Sequence, residues 1–178
     1  MFVFFTLLQL AVAAVLAYVR FEACDAMYDL TAVQIDGCDE RIPCYVTIGQ
    51  NVSITLYFHA DYLYQNLDQD AWMDINDVVS PAEVSPEKCQ TNYNCSAVST
   101  MDTITSLTGV VTVPDDIPTS VRGFMHWLTE SEGQPLLCFS VRVATQRIEQ
   151  KRLRDLFNLY KYDTEEVPSS DNEKLVNP

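Results

Sequence analysis

The chain has 178 residues with 25 acidic and 11 basic side chains, a formal net charge of −14. Such a surface repels phosphates, which excludes nucleic acid, heparin and acidic membranes as direct partners. The five glycines fall in no phosphate-cradling pattern, which argues against nucleotide binding. Most of the charge sits on residues 18–147, with 18 acidic and 6 basic side chains; residues 148–178 hold 7 and 5.

Residues 1–17 are apolar and end in Val15, Leu16 and Ala17, a small-x-small pattern of the kind signal peptidase cleaves. A spanning helix needs about 20 apolar residues, and Arg20 and Glu22 follow closely. We therefore expect residues 1–17 to be a signal peptide, with no stable membrane insertion after its cleavage. Six cysteines follow, an even count that behind an export signal predicts three disulfides in an oxidising compartment. Asn51 and Asn94 each open an N-glycosylation sequon, in keeping with a secreted, extracellular or endolysosomal-lumen protein.

After Cys24, residues 27–35 form a short β-prone run. Cys38 and Cys44 then bracket a tight loop holding Pro43 and several charges, a spacing that suits a local disulfide. Residues 51–58 alternate cleanly, with Val52, Ile54, Leu56 and Phe58 on one face. Residues 71–79 alternate less clearly and read as one strand; residues 80–88, with Pro81 and Pro86, read as a loop or edge segment. Cys89 and Cys95 repeat the local spacing, residues 103–113 read as a strand, and residues 113–118 as a turn.

Residues 121–143 predict a hairpin around a polar turn at residues 129–135. Val121, Gly123, Met125 and Trp127 share a face, as do Leu137, Phe139, Val141 and Val143, while Cys138 points the other way. Two local clips would leave Cys24 for Cys138, although six cysteines allow 15 connectivities. About seven short strands with no helix in the body predict an all-β, immunoglobulin-like antiparallel sandwich. Residues 146–162 favour a helix whose loose stripe of Ile148, Leu153, Leu156, Phe157 and Tyr160 is expected to dock on the sandwich or fray, with contact to a partner or membrane surface as the alternative, and residues 164–178 form a polar acidic tail.

The sequence offers little for catalysis. Of the two histidines, His59 and His126, neither has a partner at metal-site spacing, and no nucleophile-elbow motif is present. Paired cysteines leave no thiol nucleophile. We expect no enzyme activity, no catalytic residues, no metal and no cofactor. What remains is the apolar interior, either packed solid or lining a cavity; periodicity alone separates neither case.

The cysteine framework resembles a known family. Cys24, the GC(x)5C of Gly37 to Cys44, the following Val46-x-Ile48-Gly49-Gln50, Cys89(x)5Cys95, and His126-Trp127-Leu128 before Gly133 to Cys138 look like the lipid-recognition (ML) domain. That family includes the Niemann–Pick type C2 sterol carriers and the group 2 mite allergens. The resemblance covers residues 22–146 and places a lipid-binding domain at 18–146, followed by the extension at 147–178. It implies an immunoglobulin-like sandwich with bonds 24–138, 38–44 and 89–95, and a sterol, fatty acid or related lipid between the sheets. It also sets Val113 and Ile117 at an exposed mouth, where Ile117→Asp would weaken lipid binding without unfolding the domain, and Trp127 on the inner face. The segment 79–86 departs from sterol-binding members: it lacks their Phe and carries Glu83, which leaves fatty acids and other lipids open beside sterols.

On this reading the lining residues are Val33, Ile35, Val52, Ile54, Leu56, Phe58, Val113, Ile117, Val121, Met125, Trp127, Phe139 and Val141. The partner is a lipid of the sterol or fatty acid class. The competing function is a lipid-dependent recognition module, of the innate-immune or chemosensory co-receptor type, that engages a protein receptor through the helical extension.

Overall fold

The computed structural model describes residues 17–91, 95 and 105–165. Residues 1–16 of the expected leader, the sequon at Asn94 and the acidic tail from residue 166 lie outside them. Ten strands and one helix follow in order: β1 Phe21–Ala23, β2 Asp29–Ile35, β3 Cys44–Thr47, β4 Asn51–His59, β5 Asn66–Ile75, β6 Val78–Ser85, β7 Lys88–Gln90, β8 Thr105–Thr112, β9 Arg122–Ser131, β10 Gln134–Gln146 and α1 Ile148–Glu165.

The strand order is β1-β10-β9-β5-β6-β8-β4-β2, with β3 added on β10 and β7 on β5. All the pairs of that path are antiparallel, and the short β3 runs parallel to β10. One sheet holds β1, β10, β9 and β5; the other holds β8, β4 and β2. Strand β6 belongs to both: Val78–Ala82 pair with β5, and Glu83–Ser85 cross to pair with β8. The sandwich is therefore closed along one side by β6. Along the other side the segment before β1 reaches β2 through Val19 N–H donating to the Val33 carbonyl at 2.9 Å.

The alternation that predicted the sandwich is what buries it. Strand β4 exposes or half-buries Ser53, Thr55 and Tyr57 while Val52, Ile54, Leu56 and Phe58 are buried. The same holds for β9 and β10, whose register sets Phe139 opposite Trp127 and Val141 opposite Met125. The three disulfides are Cys24–Cys138, Cys38–Cys44 and Cys89–Cys95.

Several boundaries differ from the sequence expectation, for local reasons. The hairpin turn is only Glu132 and Gly133, with φ of 52° and 76°, so both strands run further into residues 129–135 than the polar composition suggested. Residues 71–79 are two strands, not one: Asn76 and Asp77 take φ of 55° and 63° and make a two-residue turn. Asn and Asp tolerate that left-handed conformation, and two such residues match the twist of a tight hairpin. The stretch expected as a loop or edge then becomes β6. At Pro81 it pairs with β5 on one side only, so the missing N–H can face away from the ladder. With β1, β3 and β7 also short, ten strands among the described residues stand where about seven were expected.

The helix forms as predicted, but Leu153, Leu156 and Phe157 of its stripe are not docked, and the Tyr160 side chain lies outside the described residues. Leu153, Leu156 and Phe157 are 57%, 63% and 73% exposed. The helix meets the body at the Arg154 guanidinium, 4.3 Å over the Tyr45 ring, and through Gln150 Nε2 donating to Ser120 Oγ at 2.9 Å. Polar and cationic contacts hold this helix, and its apolar face is left outside.

Candidate functional site

The candidate site is the space between the two sheets. Twelve of the thirteen predicted lining residues are buried there: Val33 and Ile35 on β2, Val52, Ile54, Leu56 and Phe58 on β4, Met125 and Trp127 on β9, Phe139 and Val141 on β10, and Val113 and Ile117 in the loop after β8. Val121 is half-buried and packs against this cluster. The expectation of an exposed mouth at Ile117 is corrected. Its side chain is only 6% exposed, so a charge there would be buried and would destabilise the fold rather than report on binding alone.

Trp127 is the centrepiece. Its indole N–H donates to Thr129 Oγ1 at 2.9 Å, and its ring stacks with Phe139 at 6.5 Å between centroids. Across the interior it reaches Gly109 of β8: a Cβ on that glycine would lie 2.6 Å from Trp127 Cη2. The two sheets therefore meet directly at this point. A second aromatic pair, Tyr28 stacked on Phe58 at 5.3 Å, closes the end of the sandwich where β4 stops. Burial raises the Tyr28 pKa above its usual value, which keeps the phenol neutral.

The sequence sets Ala71, Met73 and Ile75 on one side of a strand and reads residues 103–113 as another, but the predicted lining leaves out the inner faces of β5 and β8. Leu67, Ala71, Met73 and Ile75 on β5, and Leu107 and Val111 on β8, are all buried. The alternation was present in both, but the unrecognised turn at Asn76 blurred the first. Sequence reasoning also missed that polar side chains share these faces: Gln69, Thr105, Thr129 and Ser131 are buried too.

His126 is half-buried on the outer face of its sheet, as expected, stacked on Trp72 at 5.1 Å; burial lowers its pKa while Asp74 acts against that shift. Among the described residues no group of three or more His, Cys, Asp or Glu is placed to hold a metal ion. A surface cleft of about 650 Å³ is lined by Asp68, Asp70, Glu83, Glu87 and Glu130 with Lys88, the acidic character already evident in the composition. Asn51 is exposed at the start of β4, where its Oδ1 accepts from Thr112 Oγ1 at 3.0 Å.

An all-β body of two face-packed antiparallel sheets, pinned by three disulfides around an apolar interior, defines an immunoglobulin-like β-sandwich. Among solved structures it is similar to a Niemann–Pick type C2 protein from the Japanese carpenter ant, with a TM-score of 0.57 and 16% identity over 71% of this chain and 99% of that one. No family model matches the sequence, and no curated protein matches it. The likeness is one of fold: the body of this chain has the architecture of the ant protein, and α1 follows after it. Among the described residues no helix is long and apolar enough to cross a membrane.

Proposed function

We propose that the chain is a secreted, non-enzymatic carrier that holds one lipid of the sterol or fatty acid class between its two sheets. The observation that carries this reading is the interior itself. Both inner faces are apolar along most of their length and closed to solvent, in a fold shared with a protein named for Niemann–Pick type C2. Uptake works by exchange of contacts. The sheets part, the Trp127 ring leaves Gly109, and the ligand takes the space between them. Enclosing about 300 Å² of lipid at ~25 cal/mol per Å² contributes roughly 7 kcal/mol before ordering costs. The side closed by β6 is covalently continuous across both sheets, so parting occurs more readily along the β1–β2 side, where Val19 and Val33 form the link.

The experiment is a titration of the secreted protein with a fluorescent sterol and a fluorescent fatty acid. Saturable uptake of either, at one ligand per chain, supports the carrier. The second reading, a recognition module acting through a protein receptor, is favoured by the undocked apolar stripe of α1. Removing residues 147–178 separates the two, since a carrier keeps its lipid binding without them.

A further inference from the structure

The outer face of the β1-β10-β9-β5 sheet has two unlike ends. Along β9 the outward positions are Arg122, Phe124, His126, Leu128 and Glu130. Arg122 stands in register with Ala144 and, through it, with Tyr45; Phe124 stands in register with Arg142. Phe124 and Arg142 also line a shallow cleft of about 280 Å³ with Arg20, Phe21 and Ile42. This end gathers three of the six basic residues of 18–147, and α1 brings Arg154 over Tyr45 beside them. The acids here are Glu22, which Arg142 meets at 3.6 Å, and Asp74, in register with Phe124.

At the other end of β9, Glu130 stands in register with Asp68, and Leu128 with Asp70. Glu83 and Glu87 line one cleft with these three acids. Lys88 is the basic residue of that cleft, and it is paired with Asp68 at 3.2 Å. Between the two ends lies an aromatic and apolar band. Trp72 stacks on His126, the Phe124 ring lies 6.2 Å from His126, and Val79, across β5, is 62% exposed. Asn51 is on β4 of the other sheet, so a glycan there leaves this face open.

We propose that this face pairs with the same face of a second copy about a two-fold axis near His126, so that Arg122 and Arg142 of each copy meet Asp70 and Glu130 of the other. Two chains of net charge −14 repel at a distance. An acidic end laid on a basic end offsets that repulsion locally, and a two-fold arrangement does so at both ends at once. Aromatic side chains and arginine are those that such interfaces favour. Eight steps of about 3.4 Å along β9 and four strand spacings of about 4.8 Å give a face of roughly 500 Å². A standard complex buries about 800 Å² per partner, so this pair is weak, with a Kd on the order of tens of micromolar. The proposal concerns the outside of the sandwich and holds with or without a lipid inside.

The test is sedimentation velocity of the full chain at concentrations from well below to well above that Kd. A dimer is expected at the upper end. Arg122→Glu with Arg142→Glu puts acids at both ends of the face, and Asp70→Lys with Glu130→Lys puts basic residues at both; all four sites are exposed or half-buried. Each pair of changes should weaken self-association at least about tenfold. Mixed in equal amounts, the two variants should form a heterodimer of about the parent affinity, an outcome that a loss of folding does not imitate. A chain that stays monomeric at every concentration overturns the proposal. So does a dimer that neither reversal weakens, or variants that fail to pair when mixed. A dimer lost instead through Leu156→Ser with Phe157→Ser would put the contact on α1 and overturns it as well.

Discussion

Replacing Gly109 by alanine tests whether the sheets meet where the geometry sets them. The added methyl would stand 2.6 Å from Trp127 Cη2 and 3.3 Å from Cζ2, whereas carbon atoms pack comfortably at about 3.5–4.0 Å. The indole would have to withdraw by roughly 1 Å, and it is held by its bond to Thr129 and its stack on Phe139. Overpacking of this kind costs about 1–3 kcal/mol. Trp127→Phe removes the atoms that collide, so in that background Gly109→Ala should cost little. The double-mutant cycle, read by urea denaturation, should show a coupling of about 1–2 kcal/mol between the two sites. The same cost for Gly109→Ala in both backgrounds would refute a direct Trp127–Gly109 contact, and with it the closed interior described above.

Three other outcomes follow from the structure. Removing Cys24–Cys138, with its sequence separation of 114, should cost about 5 kcal/mol in a chain-entropy estimate, against about 2 kcal/mol for either clip of separation 6; equal losses in reduced-pair variants would contradict this. The pKa of His126 is lowered by burial, so between its folded value and about 6.5 the unfolded chain binds more protons than the folded one. Stability is then full above about pH 6.5 and falls as the pH drops toward the folded pKa, and His126→Phe should flatten that slope in melts at stepped pH; an unchanged slope would refute the assignment. Deleting residues 147–178 removes the Arg154–Tyr45 and Gln150–Ser120 contacts and should cost less than about 1.5 kcal/mol by urea titration; a larger loss would show α1 to be part of the core.

The sandwich was legible because its strongest strands are buried on one face only. Val52 to Phe58 and Met125 to Val141 carry period-two alternation, and nothing competes with it locally. Cysteine spacing anticipated the three bonds. What the sequence hid was turn chemistry and tertiary choice. Asn76 and Asp77 fold the chain back within an apparently single strand, and Pro81 is tolerated because β6 is an edge at that point. The α1 stripe has the composition of a docking face, yet Arg154 and Gln150 hold the helix with Leu156 and Phe157 outward. Nor could alternation show that Gln69 and Thr105 occupy inward positions, since a polar residue in a strand pattern reads first as a solvent-facing one.

Whether a lipid is held between the sheets is tested most directly by native mass spectrometry of the purified protein, with organic extraction and lipid identification. The account predicts a bound species of lipid mass at one per chain, released by solvent and belonging to the sterol or acyl-chain class. A protein that emerges empty, and that takes up neither fluorescent sterol nor fluorescent fatty acid afterwards, would contradict it.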